Sequence, residues 1–331
     1  VATVLVLAAF ALTMSLQNRV ISQARDRAEL ESAKATAINN FLRDMLVDTD
    51  PWASGDYDLS VVEARDSARA EVDSIFIQQP LVAAEMHATM GTTFLGLGKL
   101  REAEEEVRRG LELQIAQLGP DHPDLANSWM SLAKIQRFNG QLDEAIDAGK
   151  EVVRIRQLNF KPASPEFLAG YDNLAELFIT DRRFAEADSV LELMDGIVEA
   201  APGDLRQQTA SILNLRARVA ADFQENLAAA DSLGIASIEL LRESNPDSPL
   251  LPIYLNNVAV NQMIMQDYDR ARETYEESLE ILDRLFGQDH PEYAVVLENL
   301  GGIAYRQGDY ENCLANLERV RDIRARNIGE D

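Results

Sequence analysis

The chain has one cysteine and three histidines among 331 residues. A single cysteine excludes an intrachain disulfide and leaves the redox compartment unread. Scattered histidines with that lone thiol give no converging ligand set, so no metal centre is expected. Basic residues are also short: 31 Lys and Arg stand against 56 Asp and Glu, a formal charge of −25. Nucleic-acid phosphates call for the opposite balance, so nucleic acid is not an expected partner. A solvated acidic face, or a basic partner, suits this charge better.

Catalytic signatures are missing as well. There is no Val-Ala-x-Lys strand, His-Arg-Asp or Asp-Phe-Gly of a protein kinase, and no phosphate-cradling Gly-Lys-Ser/Thr loop. His122 and His290 fall in equivalent linkers, His87 stands alone, and Cys313 fills a small-residue place. Neighbouring acids such as Glu104, Glu105 and Glu106 are ordinary on helix surfaces. The segment is expected to be no enzyme and to bind no cofactor.

Charge is absent from Val1 to Leu16, which are mostly Val, Ala and Leu. A spanning helix needs about twenty apolar residues. The run has no initiating methionine, basic flank or small-residue cleavage site, so residues 1–16 read as part of a transmembrane helix, with an export signal as the rival. Residues 17–50 read as a helical stalk. Its seam of Ile21, Ala24, Ala28, Ala35, Ile38, Leu42 and Met45 suits a homodimer or packing onto the rest of the chain. Residues 51–79 read as a loop and a capping helix, the cap covering an otherwise exposed apolar face.

What the chain does have is repetition. A small residue recurs every 42 positions at Gly91, Ala133, Ala175, Ala217, Ala259 and Gly301. A second series follows twelve residues later, at Ala103, Ala145, Ala187, Ala229, Ala271 and Cys313. Small residues are needed where two helix backbones cross closely, and a fixed period of this length marks stacked units that cannot bury their apolar faces alone. Between the series lies a turn with Gly98, Gly140 and Gly308, where glycine takes the left-handed conformation that ends a helix. Arg182, Gln224 and Gln266 hold that place in the middle units. Arg216 and Asn226 break the apolar pattern of unit four. A Met263-Ile-Met265 cluster is expected in the core rather than on an adaptable surface.

Units are joined by Gly119-Pro-Asp-His-Pro123 and, four periods later, Gly287-Gln-Asp-His-Pro291; Pro165 and Pro249 keep the register. Proline suits the first turn of a helix and the aspartate before it can satisfy free amides. These features resemble the tetratricopeptide repeat in the 42-residue form of kinesin light chains. Leu255-Asn-Asn-Val-Ala259 and Leu297-Glu-Asn-Leu-Gly301 look like that form's first helix. The resemblance covers residues 80–331 and implies an all-α, right-handed solenoid of six helix pairs that binds proteins or peptides in a concave groove.

In such arrays the first helix of each unit lines the groove. By register the resemblance points to Asn214 and Asn256 before the small residue, Lys134, Glu176 and Arg218 just after it, and Arg137 and Arg306 further along. Asparagine can both donate to and accept from a peptide backbone, and arginine can clamp a carboxylate. An acidic or C-terminal peptide is the expected partner. Arg25-Asp-Arg-Ala28, Phe41-Leu-Arg-Asp-Met-Leu46 with Asp50-Pro51, and Gln79-Pro-Leu-Val-Ala-Ala84 resemble a narrower group, bacterial membrane-anchored serine/threonine kinases. There a cytoplasmic kinase domain precedes one membrane helix, with the repeats outside the cytoplasm. A tethered adaptor without a kinase is the alternative.

Overall fold

The computed structural model describes residue 69, residues 72–74 and residues 76–328, Leu97 and Gln224 excepted. The membrane segment and stalk expected at 1–16 and 17–50, and most of 51–79, lie outside those residues. Among the described residues no helix is long and apolar enough to cross a membrane.

Apolar residues three and four apart fold the described chain into paired helices. The first helices of the six units are α1 (Pro80–Gly96), α3 (Leu125–Phe138), α5 (Pro165–Thr180), α7 (Arg206–Asp222), α9 (Leu251–Ile264) and α11 (Pro291–Gln307). The second helices are α2 (Leu100–Leu118), α4 (Leu142–Asn159), α6 (Phe184–Ala200), α8 (Leu227–Ser244), α10 (Tyr268–Phe286) and α12 (Tyr310–Ile328). Each helix packs on the next, giving a right-handed all-α solenoid. Consecutive first helices also meet, α5 with α7, α7 with α9 and α9 with α11, whereas no consecutive second helices do so to that degree. The first helices therefore crowd the inside of the curve.

The small residues explain the close pairing. Ala133, Ala175 and Ala259 are wholly buried. At Gly91 an added methyl would fall 2.5 Å from Val107 Cγ2 and 3.1 Å from the Ala103 carbonyl oxygen, so only hydrogen fits. Ala103, Ala145, Ala187 and Ala271 are likewise sealed. Unit four departs from the expected series: Ala229 is only half-buried, and Ala230 is the residue sealed in the crossing.

The cause of that slip is the turn before α8. In five units an amide five residues on closes the turn, as in Lys99 N–H to Phe94 O (2.8 Å) and Asp267 N–H to Gln262 O (2.9 Å). In unit four Asn226 N–H reaches back six residues to Ala220 O at 2.9 Å. The left-handed residue there is Glu225, with φ 50°. Asn226 Oδ1 then accepts from Ala229 N–H at 3.1 Å and starts α8 one residue late. The shift runs through the helix: Ser237 Oγ donates to Ala210 O and Ser278 Oγ to Pro252 O, so the two carbonyls keep the 42-residue period while the serines stand 41 apart. The helix still ends at Ser244, in register with the ends of α2, α10 and α12 at Leu118, Phe286 and Ile328, so the late start leaves it one residue shorter than those three.

The connectors cap differently from expectation. His290 Nδ1 accepts from Glu292 N–H at 3.3 Å, so the histidine rather than the aspartate satisfies that amide. Asp121 instead pairs with Arg154 at 2.5 Å. Arg216, out of place by pattern, reaches Asp195 of the preceding unit. Met263 packs on the last core cluster, but Ile264 is 56% exposed, so the Met-Ile-Met cluster is only partly core.

Candidate binding groove

The first helices present a polar inner face, and the residues read from the sequence occupy it in two ways. Arg137 Nη1 donates to Glu176 Oε1 at 3.0 Å, and Arg218 Nη1 stands 3.7 Å from the same oxygen. One carboxylate thus bridges first helices of units two, three and four, and both arginines are engaged within the chain. Lys134 is exposed and, among the described residues, pairs with none. Arg306 is exposed near the end of α11, five rather than four places past its small residue; Tyr305 holds the groove position there.

Asparagines form a ladder between successive units. Asn257 Nδ2 donates to Asn214 Oδ1 at 3.1 Å, and Asn299 Nδ2 donates to Asn256 Oδ1 at 3.0 Å. Asn214 is buried and Asn256 half-buried. The donor half was not singled out in the sequence, although Asn173, Asn257 and Asn299 recur in one register. Between units three and four the acceptor place holds Asp172, which accepts from Ser211 Oγ at 2.7 Å. Burial pushes the Asp172 carboxyl up to about 6 against the pull of the Ser211 bond; Glu176 adds to the rise and Arg156 opposes it.

Between units two and three the ladder is broken, because Met130 stands where an acceptor would be. Among the described residues the Asn173 side chain has no hydrogen-bond partner, and its Oδ1 is buried. A cavity of about 370 Å³ opens at this point, lined by Asn127, Met130, Lys134, Asn173, Glu176 and Leu177 among others. A smaller one of about 170 Å³ lies beside the ladder between units four and five.

A second polar cluster lies at the N-terminal end. His87 is fully buried on α1; its Nδ1 is 2.7 Å from Glu106 Oε2 and its Nε2 is 3.4 Å from Asp73 Oδ1. Arg69 Nε lies 3.4 Å from Glu106 Oε1, and Arg109 donates to Asp73 at 3.3 Å. With Val72 and Phe76 in the first core cluster, this network fastens the preceding segment onto unit one. Among the described residues no group of three or more His, Cys, Asp or Glu is placed to hold a metal ion.

Close small-residue crossings, a 42-residue period and a groove of first helices define the fold as a tetratricopeptide-repeat solenoid. Residues 82–157 and 250–326 match the family described as Tetratricopeptide repeat. The repeats are similar to those of kinesin-light-chain-related proteins. Protein KINESIN LIGHT CHAIN-RELATED 3 of Arabidopsis thaliana is 22% identical over 250 residues, 74% of this chain and 38% of that protein. The chain thus spans well under half of that relative. Among solved structures, BtubC (BKLC) from P. vanneervenii is 19% identical, covering 82% of this chain and 92% of that one, with a TM-score of 0.43. A tetratricopeptide repeat protein from Parabacteroides merdae is 14% identical, covering 87% and 93%, with a TM-score of 0.48. The unmatched stretch between the two family matches contains unit four, where the register slips.

Proposed function

We propose that the inner face of this array binds a protein or peptide. Tetratricopeptide repeats generally mediate protein–protein interaction, and the observation that carries the reading here is the groove itself. Six first helices converge on one surface, and its polar groups fall into spent pairs and one open stretch at Lys134 and Asn173. The array then serves as the sensor or scaffold half of a membrane-anchored signalling protein, with residues 1–16 in the membrane and a serine/threonine kinase domain on the far side. A stalk at 17–50 that pairs two copies would pass partner binding across the bilayer. The apolar start and the kinase-like segments Phe41–Leu46 and Gln79–Ala84 support this finer reading.

Photo-crosslinking in cells tests the binding surface. A benzophenone side chain at Lys134 or Asn256 is expected to capture a partner, and one at Lys150 or Glu239 on second helices is not. Capture only from the second helices would move the site to the outer face. A tethered adaptor remains the second reading, favoured if the reading frame before Val1 encodes no kinase.

A further inference from the structure

The outer side of the array carries a cavity that the inner-face reading does not use. About 500 Å³ opens between the second helices α10 and α12, with α11 beneath it. The same place one unit earlier, between α8 and α10, holds only about 210 Å³. Register explains the difference. In the earlier unit Gln262 Nε2 and Arg270 Nη2 each donate to Asp231 at 2.9 Å. Thr274 Oγ1 donates to Gln262 Oε1, also at 2.9 Å, and this network fills the space. One period on, Ala304 replaces Gln262 and Asn312 replaces Arg270. Arg272 takes the acid's place, once the slip of α8 is counted. Asn312 Nδ2 turns to Asp309 Oδ2 at 2.6 Å, and Arg272 Nη1 stands 3.6 Å from Asp269. The buried network is gone, and a cavity within the roughly 300–1,000 Å³ range of small-molecule sites takes its place.

Two unlike walls stand over an apolar floor of Leu279, Leu297 and Leu300. Glu276 lines the α10 wall and, among the described residues, has no hydrogen bond or ion pair. Glu318 repeats Glu276 one period on, so Arg319 stands level with Glu276 on the α12 wall. Arg319 has no carboxylate partner among the described residues. It donates to Gln288 Oε1 at 3.0 Å and lies 5.5 Å over the Tyr293 ring, which holds it away from Glu276. Asn316 lines the same wall. A ligand that answers both walls carries an ammonium and a carboxylate close together, beside an apolar part. A residue inside a peptide has neither charge and would leave both walls unanswered.

We infer that this cavity binds a free α-amino acid with an apolar side chain. Its ammonium meets Glu276, its carboxylate meets Arg319 and Asn316, and its side chain lies on the three leucines. The site is on the outer side, so it stands or falls independently of the groove.

The test is calorimetric titration of the full chain with each of the common free amino acids, then with the N-acetyl and methyl ester derivatives of the tightest. An aliphatic or aromatic amino acid is expected to bind best, and each derivative, lacking one charge, about tenfold more weakly. Glu276→Gln, an exposed change that leaves the fold intact, is expected to weaken the free amino acid about tenfold and to leave the N-acetyl derivative unaffected. Ala304→Gln, which restores the residue of the unit before, is expected to abolish binding while circular dichroism stays unchanged. No amino acid binding more tightly than about 1 mM overturns the inference. So do derivatives that bind as well as the parent, or binding indifferent to both substitutions.

Discussion

At the scale of single residues, unit four shows how one backbone choice moves a whole pattern. Ala229 keeps the 42-residue spacing, yet Ala230 fills the crossing because the turn ahead of α8 holds one extra residue. Ala230→Leu is expected to cost about 2–3 kcal/mol by overpacking. Ala229→Leu is expected to cost well under half of that; urea unfolding of the two variants checks the order. Gln266 holds the left-handed place with φ 64°, which costs a side chain about 1 kcal/mol relative to glycine. Gln266→Gly is therefore expected to raise the urea midpoint. Asp172 carries a sign that can be worked out. Its folded pKa of about 6 lies above its ordinary 3.8, so the folded array holds that proton more tightly. That contribution is present below about pH 4 and is lost as pH rises through 6. Asp172→Asn is expected to flatten this stretch of the stability–pH curve and to stabilise the array by about 1–2 kcal/mol at pH 7.5.

At the scale of elements, the buried network around His87 adds charged contacts to the apolar packing that fastens the preceding segment onto unit one. Both ring nitrogens face carboxylates, one of them the fully buried Glu106, and Arg69 and Arg109 close the cluster from either side. His87→Phe would strand Glu106 beside a ring that cannot donate, at a cost of about 3 kcal/mol; adding Glu106→Leu is expected to recover much of it. Thermal unfolding of the single and double variants checks this. The helix pairs themselves were legible, because a small residue every 42 positions encodes a steric need that recurs in the sequence. His87 was not: a lone histidine shows no partner until Asp73 and Glu106 are brought to it by packing. The slip before α8 was half-legible, in that Asn226 already stood out, but its power to start a helix depends on a bond to Ala229 N–H.

At the scale of the molecule, curvature places the first helices on the inside, and that makes a register position into a groove position. Lys134, Arg137, Glu176, Asn214, Arg218 and Asn256 were chosen by that register, and all of them lie on the first helices α3, α5, α7 and α9. Which of them are free was not legible, since the Arg137–Glu176–Arg218 bridge joins residues 39 to 42 apart. The ladder was missed because each rung joins a residue to one 43 positions on, one step off the period. The expected arginine clamp is thus part of the scaffold, which leaves the stretch beside Lys134 for the binding we propose.

The most direct measurement compares two charge reversals of exposed lysines, Lys134→Glu on the inner face and Lys150→Glu on a second helix, in the affinity of a selected peptide. Binding should fall at least about tenfold with the first and stay unchanged with the second. Equal losses, or a loss confined to Lys150→Glu, would contradict the inner-face account.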